Sequence, residues 1–238
     1  MEITTVIFVH HGTNEARSEL ARRSLNSLIE SLKLPCELFV IDNGGNVLDS
    51  HYFVDLTEQG KITHYIRNSD NLWFGYARNQ ALRLSIGNYI AIMDNDLLYE
   101  DGWLEECIEV LKETKGQKLL VTPLEVDRAH LKQKYFLRQI KIGDKSLWVN
   151  SMAGSNCWVM HAEDCKEIGE FQNHVIAGTK WIQTYCRKEY GVVVLPEPKA
   201  SHFGLRGSPY YGYSKKNPDK NKVKMIKTFT NGEQIQLN

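Results

Sequence analysis

Two aspartates that follow an apolar run are the side chains of this sequence best suited to chemistry. In the segment YIAIMDNDLLYEDGWL, the apolar residues 89–93 are followed by Asp94 and Asp96 on either side of an asparagine. Two carboxylates this close at a strand end can converge on Mg²⁺ or Mn²⁺, whose coordination is completed by water and substrate phosphates. Asp96 is predicted to hold the metal, and Asp94 to share it or contact a ribose. Alternatively, both aspartates cap the helix that begins near Asp101 or face solvent, because so short a motif also occurs by chance.

Polar groups also follow the preceding predicted strands. Asp42 opens the turn sequence DNGG and can accept the N3–H of a pyrimidine base, although the same letters are typical of a plain turn. Arg78 lies on the first turns of a predicted helix, where it would neutralise a diphosphate or else project into solvent. Asn71 and Asn79 would supply amide contacts to the same ligand.

A segment near the C-terminus adds two candidates. His202 lies in a glycine-bearing loop after the last predicted strand, and its imidazole is a further candidate metal ligand opposite the carboxylates. A lone histidine is more often structural than ligating, so this prediction depends on its context. Arg206 is a second candidate contact to a diphosphate.

Strand-like and helix-like patterns alternate in the first half of the chain. Continuous apolar runs predict strands at residues 3–9, 37–41, 62–66 and 89–93. Apolar residues at helical spacing predict helices around residues 25–32, 74–87 and 104–111, the second closed by Gly87 as a C-terminal glycine. This alternation predicts an α/β fold with a mostly parallel central sheet and helices on both faces. Ligands of such sheets bind beyond the carboxyl ends of the strands, where HHGTN, DNGG, RNSDN and DND stand.

The second half of the chain is less regular. Strands are predicted at residues 119–121, 158–160 and 192–195, and helices in AEDCKEIG and TKWIQTYCRKEYG. The stretch PEPKASHFGLRGSPYYGY is predicted to be loop. Without an internal repeat or linker, residues 1–214 are predicted to form one domain. Residues 215–238 form a basic tail with six lysines against one aspartate up to Lys227, more typical of a solvated terminus than of a patch for an anionic partner.

The overall composition indicates an ordinary soluble globular protein. The 238 residues carry a formal net charge of zero, which disfavours a general attraction to nucleic acid or anionic membranes. The five cysteines are odd in number and include no CxxC pair, which indicates a reducing compartment. No signal peptide and no transmembrane segment are predicted, since no run approaches the ~20 apolar residues of a membrane span. A cytoplasmic location is therefore predicted.

Four blocks of the sequence together resemble the GT-A glycosyltransferases, especially the family 2-like group. VIDNGG resembles a strand end of that family, and NLWFGYARNQAL resembles its pattern N-x-G-F-x-x-A-R-N-x-G-L. YIAIMDNDLLYEDGWL resembles its strand, D-x-D motif and helix, and VVVLPEPKASHFG resembles its closing strand and metal-associated histidine. The resemblance spans most of residues 3–205, with the blocks in the family's order and spacing.

The resemblance implies a GT-A fold and an enzyme that transfers a sugar from a nucleotide-diphospho-sugar, with a UDP-sugar as the expected donor. Residues 1–96 would hold the nucleotide, and residues 97–214 the acceptor. His10 and His11 occupy the end of the first strand, where His11 would line the base pocket, although a packed or solvent-facing histidine fits equally well.

Individual roles follow from the same resemblance, position by position. Asp42 would contact the base, Arg78 the nucleotide, and Asp94 the ribose or the metal. Asp96 and His202 would bind Mn²⁺ or Mg²⁺, a Lewis acid that stabilises the charge developing on the departing diphosphate.

One pair of residues departs from the family's pattern. Inverting members usually carry an acidic pair, whose carboxylate deprotonates the acceptor, where this chain has Thr179 and Lys180. A protonated lysine is a poor base. Three explanations stay open: Glu163, Asp164 or Glu170 is the base; the enzyme is retaining and needs no protein base; or the domain binds nucleotide-sugar as a pseudoenzyme. An active transferase is favoured because the donor half looks intact.

Other enzyme classes fit less well. A sugar nucleotidyltransferase shares the layout, but HHGTNEAR lacks its glycine-rich phosphate loop, and no G-x-G-x-x-G follows the first strand as in a dinucleotide oxidoreductase. A glycan or lipid-linked acceptor is predicted, because the basic tail suits a membrane surface and the tyrosines at 210, 211 and 213 suit sugar faces. A nucleic-acid acceptor is disfavoured by the zero net charge.

Overall fold

The computed structural model describes residues 1–12, 14–125, 136–150, 157–171, 191–202, 225–228 and 234–237. The predicted helix TKWIQTYCRKEYG, the departure at Thr179 and Lys180, the candidate Arg206 and the three loop tyrosines lie outside these residues. Within the described ranges, no helix is both long enough and apolar enough to cross a membrane.

Strands and helices alternate through residues 4–93. The strands are β1 (Thr4–His10), β2 (Cys36–Asn43), β3 (His64–Asn68) and β4 (Tyr89–Met93), and the helices are α1 (Glu15–Ser31), α2 (Val47–Glu58) and α3 (Trp73–Leu84). Asparagines cap two of these helices: the side chain of Asn14 accepts the N–H of Arg17, and that of Asn46 accepts the N–H of Asp49.

The later elements are mostly strands. In chain order they are β5 (Leu97–Tyr99), α4 (Trp103–Glu113), β6 (Leu119–Glu125), β7 (Phe136–Ile142), β8 (Lys145–Asn150), β9 (Cys157–His161), α5 (Ala162–Ile168) and β10 (Gly191–His202). Within the basic tail, β11 (Met225–Thr228) and β12 (Gln234–Leu237) pair with each other in antiparallel fashion.

One sheet, in the order β3-β2-β1-β4-β9-β6-β10-β8-β7, connects the strands up to β10. The four strands β3, β2, β1 and β4 are parallel, as are β6 and β10. The strands β9, β8 and β7 run antiparallel to their neighbours, and the short β5 pairs antiparallel with β10. The predicted α/β fold with a central sheet is confirmed, with parallel pairing concentrated in the first half of the chain.

Apolar layers cover both faces of the sheet because alternate residues of a strand point to opposite sides. On one face, Val6 and Phe8 of β1 belong to a buried cluster that includes Leu25 and Leu28 of α1, Phe53 of α2, and Trp103 and Leu104 of α4. On the other face, Ile7 and Val9 cluster with Ala77 and Ala81 of α3 and Ala162 and Cys165 of α5. The carboxyl ends of β1, β2, β3 and β4 therefore form one edge of a rigid platform.

The structure corrects two predictions about elements and adds one helix that was not predicted. Gly87 does not end a helix, since α3 ends at Leu84 and Gly87 is not in the left-handed region. The predicted loop from Pro196 is strand β10 as far as His202, and shifts of register on either side of Pro198 accommodate its prolines. The helix α2 was not predicted, because its apolar residues do not form one regular stripe.

Gly87 has a steric role, which a pair of substitutions can test. A Cβ on Gly87 would lie 2.5 Å from the backbone nitrogen of Thr5, and a Cβ on Gly191 would lie 2.5 Å from Cδ2 of Leu119. Because backbone in a paired strand cannot move aside, we expect Gly87→Ala to lower the free energy of unfolding by about 1–3 kcal/mol. Gly191→Ala should cost less, because a leucine side chain can rotate away. Equal losses in urea unfolding would contradict the backbone clash.

Candidate active site

A buried ion pair joins α3 to the carboxyl end of β4. Nη2 of Arg78 donates to Oδ1 of Asp94 at 2.7 Å, and the two side chains are 3% and 23% exposed. The guanidinium carbon lies 5.7 Å from the ring centroid of Phe74 and 5.5 Å from that of Phe171. A carboxylate and two aromatic rings thus surround this cation. The pair fixes the orientation of Asp94.

Burial changes the role expected of Arg78. Burial lowers the pKa of the guanidinium and the Asp94 carboxylate opposes that change, but an arginine stays protonated in proteins. Since Arg78 is almost completely buried, the structure does not present it to a diphosphate, and its contact is with Asp94. Asn79 is likewise engaged: its side chain exchanges two hydrogen bonds of 2.9 Å with the backbone of Phe171.

Asp96 lies in the turn between β4 and β5 and is 8% exposed. Hydroxyl groups of α1 hold the strand that follows it: Ser24 Oγ accepts the N–H of Leu97 at 3.2 Å, and Ser27 Oγ accepts the N–H of Tyr99 at 2.7 Å. The position of Asp96 therefore depends on α1. The sequence signal for this contact was the pair of serines, Ser24 and Ser27, spaced three residues apart beside the apolar stripe of α1.

The environment of Tyr99 shows that negative charge is concentrated at this strand end. Burial raises the pKa of the Tyr99 phenol well above its ordinary value, and the nearby Cys157 thiol and the carboxylates of Asp94, Asp96 and Glu125 add to the rise. Its hydroxyl lies 3.5 Å from the backbone oxygen of Asp94. The phenol is therefore neutral, and a bound cation would be electrostatically favoured beside it.

Strand β10 brings the backbone of His202 beside the aspartates. His202 pairs with Leu97, the residue after Asp96, in the antiparallel register of β10 and β5. The side chain of His202 lies outside the described part of the structure, and the described side chains alone contain no group of three potential metal ligands. Two carboxylates with a histidine-bearing strand alongside are nevertheless a donor set that fits Mg²⁺ or Mn²⁺ completed by substrate and water.

Asp42, the predicted base contact, is completely buried at the end of β2. Its Oδ1 accepts the N–H of Gly45 at 2.8 Å, and its Oδ2 accepts the hydroxyls of Ser50 at 2.6 Å and Tyr65 at 3.1 Å. With both oxygens engaged and no exposed surface, Asp42 shapes the DNGG turn. The structure does not present it to a ligand.

Asn43 ties together two loops at the same edge of the sheet. Its Oδ1 accepts from Nδ2 of Asn68 and from the N–H of Leu72, each at 3.1 Å, and its Nδ2 donates to Oδ1 of Asn71 at 2.9 Å. Nδ1 of His11 lies 2.9 Å from the backbone oxygen of Asn43, so that nitrogen carries the proton. The structure thus brings His11 and Asn71 together, with Asn71 exposed and His11 partly exposed.

The first residue of α3 has an unusual backbone conformation. Trp73 has a φ of +65°, and its N–H donates to Oδ1 of Asn71 at 2.8 Å. This conformation costs a bulky residue about 1–3 kcal/mol. The family's pattern N-x-G-F places a glycine here, whereas this chain has a tryptophan that remains 46% exposed.

A second buried network, which the sequence did not reveal, lies around Asp49 in the first turn of α2. Oδ2 of Asp49 contacts Nε2 of His10 at 2.8 Å and accepts the hydroxyl of Ser18 at 2.5 Å, and its Oδ1 accepts Nη1 of Arg22 at 2.8 Å. Burial raises the pKa of Asp49, but the hydrogen bonds from His10 and Ser18 and the charge of Arg22 bring it below its ordinary value. His10 is fully buried and serves this network.

The three alternative base candidates lie away from the aspartates. Glu163 and Asp164 stand in the first turn of α5, whose Ala162 N–H donates to the oxygen of Asn88 at the amino end of β4. Asp94, in contrast, follows the carboxyl end of that strand.

Glu170 is also remote, because it pairs on the surface with Arg83 in the last turn of α3, at 2.6 Å and 2.7 Å. The structure therefore does not bring Glu163, Asp164 or Glu170 to the predicted site.

The sequence segment that builds this edge matches a known family. The model of the family described as Glycosyl transferase family 2 matches residues 12–169, a range that includes the DNGG turn, Arg78 and both aspartates. The chain belongs to glycosyl transferase family 2. This confirms the resemblance predicted from the sequence blocks.

A curated relative of this family 2 chain comes from Drosophila melanogaster and is named "Putative polypeptide N-acetylgalactosaminyltransferase 13". The two are 29% identical over 138 residues, which covers 51% of this chain and 23% of the relative. The chain thus spans less than a quarter of that relative's length.

Solved structures similar to this family 2 chain share its architecture. GalNAc-T7, solved with UDP, GalNAc and Mn²⁺, superposes with a TM-score of 0.63 at 14% identity, over 87% of this chain and 45% of its own. S. aureus TarS superposes with a TM-score of 0.64 at 16% identity, over 85% of this chain and 36% of its own. At these identities the likeness concerns the fold, and it confirms the predicted GT-A fold.

The ion pair of Arg78 can be tested against an exposed pair on the same helix. We expect Arg78→Leu to lower the free energy of unfolding by about 3 kcal/mol, because it leaves the Asp94 carboxylate without its buried partner. Arg83→Leu removes a pair whose side chains are 51% and 53% exposed, and should cost less than about 1 kcal/mol. Urea unfolding of both variants measures the difference, and similar losses would show that burial does not set the value of the Arg78 pair.

Asp49 should make folding stability depend on acid pH. Because its folded pKa is below the unfolded value, its contribution is complete above the ordinary aspartate pKa of about 4 and is lost as pH falls through the lower folded value. We expect Asp49→Asn to lower the free energy of unfolding at pH 7 by about 2–4 kcal/mol and to reduce its slope below about pH 4. Asp55→Asn, at an exposed position of α2, is the control. An unchanged slope in Asp49→Asn would refute this assignment.

Proposed function

We propose that this domain transfers a sugar from a nucleotide-diphospho-sugar to a hydroxyl acceptor with the help of a divalent cation. The observation that carries the proposal is the corner at the carboxyl end of β4. There Asp94 is held by Arg78, Asp96 is held through the anchored strand β5, and the backbone of His202 lies alongside. Membership of glycosyl transferase family 2 supports this chemistry.

The residues of the corner would bind and orient the donor diphosphate. Asp96, Asp94 and His202 would hold Mn²⁺ or Mg²⁺, which when bound stabilises the negative charge of the leaving diphosphate as a Lewis acid. Arg78 would hold the Asp94 carboxylate in place through their buried ion pair, without touching substrate itself. Because Arg78 fixes Asp94 and α1 anchors the strand that follows Asp96, these two carboxylates would need little reorganisation when the donor binds.

A UDP-sugar is the proposed donor. GalNAc-T7, whose fold is similar, was solved with UDP, GalNAc and Mn²⁺, which supports a donor of the same class. His11 and Asn71 lie at the accessible part of the edge formed by β1, β2 and β3 and are proposed to contact the nucleoside. They take the place of the buried Asp42.

The acceptor is proposed to be a hydroxyl group of a glycan or a lipid-linked sugar. A polypeptide hydroxyl is included, because the Drosophila melanogaster relative is named as a polypeptide transferase. The lysines between residues 215 and 227 would suit contact with an anionic membrane surface. A cytoplasmic location is proposed from the sequence, whose five cysteines are odd in number and include no CxxC pair.

The metal assignment can be tested by ligand-dependent stabilisation. UDP with Mn²⁺ should raise the melting temperature of the wild-type protein, since a ligand at about 100 times its Kd adds about 2.7 kcal/mol of stability. Asp96→Ala should abolish the part of this shift that requires Mn²⁺. Asp101→Ala is the matched control, because the Asp101 side chain is 76% exposed five residues further along. An unaltered shift in Asp96→Ala would remove the metal from this corner.

Release of UDP separates a transferase from a binding domain. Incubation of a UDP-sugar with the wild-type protein and Mn²⁺ should release UDP by slow hydrolysis, because water can replace the acceptor. Asp96→Ala should release none. Binding without any release of UDP by the wild-type protein would instead identify a pseudoenzyme.

A further inference from the structure

An exposed aromatic side chain lies at a strained backbone position on the carboxyl edge of the sheet, next to the proposed nucleoside contacts. Trp73 combines a φ of +65° with 46% exposure. Glycine adopts this conformation without steric conflict, whereas a bulky side chain does not. Strained backbone positions of this kind are concentrated at ligand-binding and active sites, where the surrounding structure holds them.

Hydrogen bonds of side-chain amides at the same edge of the sheet fix the backbone of Trp73. Oδ1 of Asn71 accepts both the N–H of Trp73 at 2.8 Å and Nδ2 of Asn43 at 2.9 Å. Gly44, at a φ of +76°, packs the turn after β2 against the same loop, since a Cβ on it would lie 2.6 Å from the nitrogen of Asn71. Trp73 is therefore attached to the loops at the ends of β2 and β3.

The position of Trp73 in the sheet order separates it from the aspartates. The loops that carry it follow β2 and β3, whereas Asp94 follows β4, on the other side of β1. Neighbouring strands lie about 4.8 Å apart, so the end of β4 is about 10 Å from the end of β2 and about 14 Å from the end of β3, the strand that precedes Trp73. The ribose and diphosphate of a nucleotide can bridge such a distance, with the base at the end near Trp73.

We propose that the indole of Trp73 stacks on the heterocyclic base of the donor nucleotide. The inference rests on the proposed function, because it takes the diphosphate to lie at Asp94 and Asp96. A planar indole and a planar base gain from overlap of their faces, and such stacking does not require a specific hydrogen-bonding pattern. Trp73 would thus supply affinity for the nucleoside that the buried Asp42 cannot supply.

Three substitutions of Trp73 test the ring separately from the backbone. Trp73→Gly keeps access to the same φ but removes the ring, and we expect it to weaken UDP binding in the presence of Mn²⁺ by about 5- to 100-fold. Trp73→Leu keeps an apolar side chain without an aromatic face and should weaken binding similarly. Trp73→Phe should restore most of the affinity. Titration calorimetry measures the affinities, and melting temperatures without ligand verify that each variant is folded.

Two controls locate the effect at the base. Tyr76→Ala removes another aromatic residue of α3, 42% exposed, and should bind UDP like the wild type. Inorganic pyrophosphate with Mn²⁺ lacks a base, so Trp73→Gly should bind it as tightly as the wild type does.

The outcomes distinguish this inference from the proposed function. If the wild-type protein binds UDP and both Trp73→Gly and Trp73→Leu bind it within twofold of wild type, the stacking role is wrong and the proposed function stands. An equal loss of affinity for UDP and for pyrophosphate would place the ring at the diphosphate and also overturn the inference. A wild-type protein that binds neither probe with Mn²⁺ would overturn the proposed function itself.

Discussion

The buried pair of Arg78 and Asp94 is the interaction on which the site depends. A charge removed from water must be paired, and a guanidinium between two aromatic rings has few positions in which it can meet a carboxylate. One of these rings belongs to Phe171, whose backbone is bound by Asn79 on the same helix. A single arginine therefore links α3, the end of β4 and the segment after α5. Asp94 is therefore correctly oriented only when these three parts are packed against one another.

Most polar residues at the carboxyl edge of the sheet build its loops and do not face a ligand. Asp42, Asn43 and Asp49 are buried, and each binds three or more partners from neighbouring segments. Tight turns between buried strands and helices leave many backbone and side-chain groups without water, and these groups must be satisfied internally. Fewer residues of this edge are accessible to solvent, among them Asn71 and Trp73, which are exposed, and His11, which is partly exposed. A polar residue after a predicted strand is thus good evidence for the carboxyl edge of a sheet but only weak evidence for a contact with substrate.

At the carboxyl end of β4, buried polar groups are also paired within the protein, but the carboxylates there carry negative charge that is only partly compensated. The carboxylates of Asp94, Asp96 and Glu125 all raise the pKa of the Tyr99 phenol, so negative charge is gathered around one buried ring. Arg78 compensates part of this charge from within the protein. A divalent cation on the outer side would compensate more of it, at the place where the proposed function puts the diphosphate.

Elements that are marked by a pattern within one short segment could be predicted from the sequence. Residues 89–93 were predicted as a strand with the observed bounds, and the apolar stripe of α4 and the family resemblance were equally readable, because periodic burial and motif spacing are properties of short segments. Which groups meet could be seen only in the folded chain: Arg78 points inward to Asp94, and Ser50 and Tyr65 enclose Asp42. Glu163 lies at the opposite edge of the sheet. Exposure and pairing depend on partners supplied by segments distant in the chain, and no pattern within one segment encodes them.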